Sequence, residues 1–161
     1  MDVLWAPWRI EYVEVKKQEG CIFCDKSADS DDEANLILHR DSLAFIIMNA
    51  FPYNNGHIMV SPYRHVATLA DLSDEEKLQI MQLAELAIDA LSGAMAPDGF
   101  NAGINMGKTA GAGIADHIHF HVVPRWTGDT NFMPVVANTK VLPEALAATY
   151  RKLKEQFERK L

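Results

Sequence analysis

His117-Ile118-His119-Phe120-His121-Val122-Val123-Pro124 is the stretch from which the rest of this chain is best interpreted. On a β-strand successive side chains alternate between the two faces, so the three imidazoles share one face and the apolar residues between them take the other. Core packing explains the apolar face, but it does not explain three histidines side by side. The spacing therefore predicts a strand over 117–123 with a chemically active face.

Two kinds of chemistry fit such a face. Histidines spaced His-x-His on a strand can ligate a catalytic zinc with a third ligand and leave a position for water. Alternatively, a neutral imidazole can attack phosphorus and form a covalent nucleotidyl-histidine. The glycine-rich segment Gly107–Gly113 just before the strand favours the second, because glycines let backbone N–H groups approach phosphate oxygens closely.

The flanking sequence predicts further strands. The apolar run 43–48 is typical of a buried strand, and the turn sequence at 51–56 separates it from a second strand over 57–60. Strands joined by so short a connection form an antiparallel pair. Another strand is predicted over 101–105.

Helices complete an α+β order. Ser73 and Glu76 form a capping box that opens an amphipathic helix, which we expect to end near Gly93. Pro143 opens a last helix, whose apolar stripe is typical of core or subunit contact. That stripe consists of Leu146, Tyr150, Leu153 and Phe157.

Composition narrows the class of protein. With 161 residues, 48% of them apolar and 23% charged, the chain is the size of one globular domain. The net charge of −7 argues against nucleic acid or an anionic membrane as a partner bound by bulk charge. We find neither a membrane-length apolar run nor a secretion signal, which predicts a cytoplasmic protein.

Cys21 and Cys24 are the only two cysteines, spaced C-x-x-C. They could be ordinary buried cysteines, a redox pair, or half of a zinc site, since tetrahedral structural zinc needs four ligands. The pair alone leaves these alternatives open.

The stretch at 117–123 fits the pattern His-φ-His-φ-His-φ-φ, and the chain is identified by it as a member of the histidine-triad (HIT) family. The strand 56–62 extends the resemblance upstream. Segments 5–9, 21–24 and 124–132 resemble the branch that contains diadenosine tetraphosphate phosphorylases and hydrolases.

The resemblance implies an α+β HIT fold with a largely antiparallel five-stranded sheet, one long helix and a C-terminal helix. The whole chain, 1–161, would be a single HIT domain. It would have an N-terminal arm over 1–30, a core over about 33–132 and the last helix over about 142–160. A homodimer is implied as well.

Three catalytic residues are carried over from the family. His119, the middle histidine, would be the nucleophile, and His121 would contact the α-phosphate and help protonate the leaving group. His57 matches an upstream histidine that helps bind phosphate.

The nucleotide contacts are carried over in the same way. Asn49 would hydrogen-bond the ribose, Ile46 and Phe45 would line the base pocket, and Asn105 would lie near the phosphates with His121. Gly111 and Gly113 belong to the loop that donates backbone N–H groups.

The resemblance also completes a metal site. In family members with the N-terminal cysteine pair, a structural zinc is bound by residues that match Cys21, Cys24, His65 and His117. No organic cofactor is implied.

The expected activity is cleavage of dinucleoside polyphosphates, such as diadenosine tetraphosphate, at the α-phosphate through a nucleotidyl-histidine. Alternatives are a purine nucleoside phosphoramidase and a nucleotide-binding regulatory protein with little catalysis. Related phosphorylases often carry Gly-Ser where this chain has Ala112-Gly113, and the missing hydroxyl favours hydrolysis over phosphorolysis.

Overall fold

Five strands form the sheet of this α+β protein. They are β1 (Ile37–Arg40), β2 (Ala44–Met48), β3 (Ile58–Pro62), β4 (Gly99–Ile104) and β5 (Phe120–Arg125). In the computed structural model, which describes residues 20–130 and 144–160, the strand order is β1-β2-β3-β5-β4, and each neighbouring pair is antiparallel.

The antiparallel pair predicted around the turn at 51–56 is confirmed. β2 and β3 run in register from Ala44 opposite Pro62 to Met48 opposite Ile58. Gly56, in the turn, adopts φ +76°, and a Cβ there would lie 2.8 Å from Met95 Sδ. Only glycine fits the turn that leads into His57, because both the backbone angle and the space exclude a side chain.

The alternation predicted for the histidine strand is found, but the bounds differ. The ladder begins at Phe120 rather than at His117, and it continues to Arg125. The stretch before it is held by loop contacts instead, since Ile118 N–H donates to Val66 O at 2.7 Å. Ile118 points into the main core, and the histidines on either side of it therefore lie on the opposite face.

β1 is a strand that the residue pattern did not predict. It has only four residues, and its pairing with β2 contains an irregularity between Ile37 and His39. A segment this short is not long enough to show the alternation of apolar and polar residues that predicts a strand. It completes the five strands that the family resemblance implied.

Four α-helices accompany the sheet in the described residues: α1 (Ile22–Ala28), α2 (Asp32–Asn35), α3 (Asp74–Met95) and α4 (Leu146–Lys160). The predicted capping box opens α3, with Glu76 N–H donating to Ser73 Oγ and Ser73 N–H donating to Glu76 Oε2. The helix passes Gly93 and ends at Met95. Gly93 serves packing rather than termination, because a Cβ there would lie 3.1 Å from Gln156 Oε1 of α4.

The stripe on α4 belongs to the core. Tyr150, Leu153 and Phe157 are buried, and the Tyr150 hydroxyl donates to Ile37 O at 3.0 Å. This core lies between the sheet and the two long helices α3 and α4. A second, smaller cluster covers the other sheet face, where α1 packs; it consists of Phe23, Ile37, Phe45, Ile47 and Met59.

Some expectations fall outside the described residues. The motif 5–9, the segment 131–132 and Pro143 all lie there. Over 20–130 and 144–160, no helix has both the length and the apolar character that crossing a bilayer would need.

Candidate active site and metal-ligand cluster

A cleft lies on the sheet face that carries the histidines, with α1 as one wall. α1 contributes Ile22, Phe23 and Lys26, and the end of β2 contributes Ile47, Met48 and Asn49. The remaining lining includes Phe51 to Tyr53, Met59, Gly111, Gly113, Ile114, His119 and His121. The cleft thus joins an apolar end near α1 to a polar end at the histidines.

His119 is held in one tautomer by the main chain. Its Nδ1 lies 2.8 Å from His117 O, and a carbonyl oxygen can only accept, so Nδ1 carries the proton. In the neutral ring Nε2 then carries the lone pair. Burial lowers the pKa of His119, which keeps the ring neutral and nucleophilic at physiological pH.

His57 and His121 form a second directed arrangement. The Tyr53 backbone N–H donates to His57 Nδ1 at 3.0 Å, so the proton of neutral His57 is on Nε2. That Nε2 lies 2.9 Å from His121 Nδ1, which must accept. His121 therefore carries its own proton on Nε2, where it can donate to a bound anion.

His121 is an uncharged ring at physiological pH, and it acts as a hydrogen-bond donor rather than as a source of protons. Burial, and then the repulsion that a protonated His119 would exert, lower the pKa of His121 to about 4. Asn105 Nδ2 donates to the Tyr53 hydroxyl at 3.3 Å and lies 3.4 Å from His121 Nε2. Because both nitrogens carry protons, Asn105 and His121 do not hydrogen-bond each other. Tyr53 and His121 line the cleft, whereas Asn105 lies beside both of them without lining it.

His57 was predicted to help bind phosphate, and the structure places it one layer behind the cleft. His57 is fully buried and lies behind His121 instead of lining the cleft. Its Nδ1 also lies 3.3 Å from the amide of Asn49, a residue that does line the cleft. His57 can therefore reach a substrate only through its neighbours.

The glycine-rich segment contributes lining residues without positive charge. Gly111 and Gly113 line the cleft, and Gly107 and Gly111 adopt φ +81° and +91° around a short 3₁₀ turn. Among the lining residues that the structure describes, Lys26 is the one with a charged side chain, and its Nζ donates to Asn35 O at 3.1 Å. Neutral N–H groups are thus the main donors available to an anion.

Two residues predicted for the base pocket, Ile46 and Phe45, do not line the cleft. Ile46 and Phe45 are fully buried, Ile46 in the core beneath α3 and Phe45 beside Tyr63 at a ring distance of 5.3 Å. The apolar end is lined instead by Ile47 and Met59 from the sheet, together with α1. Alternation could have found Ile47, because it lies two residues before Asn49 and so shares its face.

Cys21, Cys24, His65 and His117 form the metal-ligand cluster. Their ligand atoms all lie within 4.8 Å of one another. His117 Nδ1 is 3.2 Å from Cys21 Sγ, and Cys24 Sγ is 3.4 Å from His65 Nδ1. Tetrahedral zinc at its usual bond lengths separates sulfur and nitrogen ligands by about 3.5 Å, so the donor set fits the ion.

The ring of His117 is oriented for such a role. Its Nε2 lies 2.9 Å from Pro62 O and therefore carries the proton, which leaves Nδ1 as a lone-pair donor towards the cysteines. Burial, and then the Cys21 thiol, raise the pKa of Cys24 to about 11. A bound cation is what would stabilise thiolates here.

Comparisons with known proteins agree with this geometry. The family model for the HIT domain matches residues 31–128. The chain is 38% identical over 164 residues to an AP-4-A phosphorylase of Mycobacterium tuberculosis, covering 97% of this chain and 84% of that protein. It is 30% identical to an adenosine 5'-monophosphoramidase of Schizosaccharomyces pombe, over 66% of this chain and 74% of the relative.

A solved structure has the same fold. A Zn-bound histidine triad family protein from Mycobacterium smegmatis superposes with a TM-score of 0.69 at 26% identity. The superposition covers 87% of this chain and 94% of that one. The α+β fold with its open antiparallel sheet is therefore shared.

Proposed function

This chain belongs to the HIT domain family, and on that premise we propose that it cleaves dinucleoside polyphosphates, such as diadenosine tetraphosphate, at the α-phosphate. The observation that carries the proposal is the state of His119: a buried, neutral imidazole in the cleft, with Nδ1 bound to His117 O at 2.8 Å and the lone pair on Nε2. The 38% identity to an AP-4-A phosphorylase supports the substrate class.

The first step forms a bond between His119 Nε2 and the α-phosphorus. The bond from phosphorus to the bridging oxygen breaks, and its electron pair leaves with the second nucleotide. The positive charge on the new nucleotidyl-imidazolium is shared with Nδ1, which keeps its proton and continues to donate to the His117 carbonyl oxygen. His121 Nε2–H donates to the oxygen on which negative charge develops.

The second step regenerates His119. Water, or inorganic phosphate, attacks the same phosphorus, and the bond to Nε2 breaks with its electron pair returning to the ring. With water the nucleotidyl group leaves as a nucleoside monophosphate; with phosphate it leaves as a nucleoside diphosphate. Ala112-Gly113 supplies no hydroxyl for a phosphate ion, which supports water.

The other cleft residues bind and orient the nucleotide. We assign the ribose to Asn49, the base to the apolar end beside Ile47, and the α-phosphate oxygens to the N–H groups around Gly111 and Gly113. His57 would act as a positioning residue, because it sets the tautomer of His121 from behind.

The metal-ligand cluster would hold a structural zinc. Its chemistry there is to stabilise two thiolates and fix the ring of His117, which then offers its carbonyl to His119. His117 Nδ1 faces the cysteines and not the cleft, so the site is separate from the phosphate.

The S. pombe relative favours a second candidate, phosphoramidase activity on P–N bonds. The same nucleophile serves both reactions. They differ in the leaving group, since an amine needs a proton far more than a polyphosphate does. His121, whose pKa is about 4, is a poor proton source at neutral pH, which favours the polyphosphate.

Product analysis tests the proposed function. Diadenosine tetraphosphate is incubated with the protein, with and without inorganic phosphate, and the nucleotides are separated. We expect AMP and ATP from water; ADP and ATP would identify phosphorolysis. The His119→Ala variant is the control, and wild-type turnover by that variant would contradict the mechanism, as would absence of turnover by the wild-type protein.

We also propose a cytoplasmic homodimer that pairs along β4. β4 is an edge strand in the described sheet, and its middle residues, Asn101 and Ala102, are exposed. Met81 of α3, which is 54% exposed, lines a shared apolar depression with Ile104 at the end of β4. Analytical ultracentrifugation tests this: we expect the mass of a dimer, and sedimentation as a monomer would contradict the proposal.

A further inference from the structure

We propose that Arg40, which does not line the cleft, is a positioning residue for substrate binding, because its guanidinium holds the C-terminal end of the wall helix α1. Arg40 lies at the end of β1 with 29% of its side chain exposed. The inference rests on the proposed function only in taking the ligand of the cleft to be a nucleotide.

α1 cannot hold its own position. Seven residues are too few for an independently stable helix. Its N-cap residue, Cys21, makes no side-chain capping bond, and its C-cap residue, Asp29, is extended instead of closing the helix in the left-handed conformation. The last carbonyl groups of α1 therefore need partners from elsewhere in the fold.

Arg40 supplies those partners. Its Nη1 donates to Ser27 O at 2.6 Å, and its Nη2 donates to Asp29 O at 2.6 Å and lies 3.5 Å from Lys26 O. Its Nε donates to Asp32 Oδ1 at 2.8 Å, which orients the fork. A positive group is also favourable at the negative end of the helix dipole. Lysine could satisfy only part of this pattern, because it lacks the planar fork.

The two ends of α1 have different supports. Near its start, Phe23 packs on the rings of His117 and His119 at centroid distances of 5.2 and 4.8 Å. The end that carries Lys26 depends on Arg40 and on the Lys26 bond to Asn35. Removing Arg40 should loosen the wall at Lys26 while Phe23 stays over His119. The expected consequence is weaker nucleotide binding with the chemical step retained.

Lys154 provides a matched control. Its Nζ donates to Leu38 O at 3.0 Å, so it is also a cation bound to a main-chain carbonyl, here on β1 itself. It reaches β1 from α4, on the sheet face away from α1. Lys154→Met therefore removes a comparable bond without touching the wall of the cleft.

The experiment compares wild-type protein with Arg40→Met, Arg40→Lys and Lys154→Met. Hydrogen exchange of the amides in 22–28 measures the order of α1, calorimetric titration with AMP measures binding, and steady-state kinetics with diadenosine tetraphosphate separate KM from kcat. For Arg40→Met we expect faster exchange in α1, an AMP Kd and a KM raised about tenfold, and kcat within about twofold. Arg40→Lys should lie between Arg40→Met and wild type, and Lys154→Met should match wild type.

Unchanged α1 exchange and unchanged AMP affinity in Arg40→Met would overturn the inference. Equal effects from Lys154→Met would also overturn it, because they would indicate general destabilisation. If Arg40→Met does not fold, the partial loss in Arg40→Lys decides the question. A wild-type protein that neither binds AMP nor turns over the dinucleotide would refute the proposed function, whereas the exchange comparison tests Arg40 independently of any substrate.

Discussion

His117 and His119 lie two residues apart, on one side of the same segment and against the same phenylalanine, yet their surroundings differ. His117 Nδ1 faces the cysteines at 3.2 Å, whereas His119 lines the cleft. The difference comes from the partner of the second ring nitrogen, which is Pro62 O for His117 and His117 O for His119. Identical spacing in sequence does not assign identical roles; the neighbouring carbonyl group does.

The two regions are nevertheless joined. The carbonyl of His117 holds the ring of His119, so one residue connects the metal-ligand cluster to the proposed nucleophile. We expect changes at His119 to affect the reaction rate and changes at the metal-ligand cluster to affect the stability of the fold.

The largest effect should come from the nucleophile. His119→Ala should lower kcat for diadenosine tetraphosphate by at least about a thousandfold, because no other imidazole of the triad carries a lone pair facing the substrate. The zinc content, measured by atomic absorption, should stay unchanged. His39→Ala, at a half-buried histidine that stacks on Phe157, is the control and should keep its activity. Zinc loss in His119→Ala would break the separation between the two regions.

The second largest effect should come from the metal-ligand cluster. Chelation of the metal, or the Cys24→Ser variant, should lower the free energy of unfolding by about 3 kcal/mol, as expected when a tightly bound ligand of the native state is lost. Urea titrations measure this. Activity should decay slowly after chelation, along with the loss of folded protein. Immediate loss of activity while the protein is still folded would assign the metal to catalysis instead.

A smaller effect on the free energy of unfolding is expected when the pH is lowered. Because burial lowers the pKa of His121 to about 4, the native state binds fewer protons than the unfolded state between pH 4 and 6.5. Stability therefore falls as the pH drops through that window, by about 2 kcal/mol from His121 between pH 6.5 and 5. Urea unfolding at both pH values measures the slope, and His121→Asn should flatten it. An unchanged slope in that variant would show that His121 is not the group responsible.

The smallest effect should follow the loss of the Tyr53 hydroxyl. Tyr53→Phe removes the contact with Asn105 but keeps the backbone N–H that donates to His57. We expect kcat/KM to fall by only a few-fold, about 1 kcal/mol or less. A loss comparable to that of His119→Ala would mean that the hydroxyl contributes to the chemical step as much as the imidazole of His119 does.

Local patterns predicted the parts of this fold that depend on local rules. The alternation around His119, the pairing of 43–48 with 57–60 and the capping box at Ser73 all follow from periodicity and hydrogen-bonding chemistry within a few residues. The metal-ligand set came from family resemblance, and the structure brings its four side chains together from three separate segments.

The parts that were not predicted depend on tertiary contacts. Gly93 was interpreted as a helix stop, but it lies within α3, beside the side chain of Gln156 on α4. Ile46 was taken for a cleft residue, although its face of the sheet is covered by α3. His57 lies behind His121, 64 positions away in the sequence, and Arg40 binds the end of α1, more than 10 positions away. Contacts between residues so far apart leave no local pattern in the sequence.

The tautomers of the catalytic imidazoles begin at main-chain groups: His119 is set by a carbonyl, and His57, and through it His121, by an amide N–H. A substitution at position 53 or 117 replaces a side chain but leaves these groups in place. The proton arrangement therefore does not depend on which side chain stands at position 53, whereas position 117 is constrained separately because His117 belongs to the metal-ligand cluster. An insertion or deletion that shifts the chain by one residue would displace these main-chain groups. Evolutionary change at this site should therefore favour substitutions over insertions and deletions.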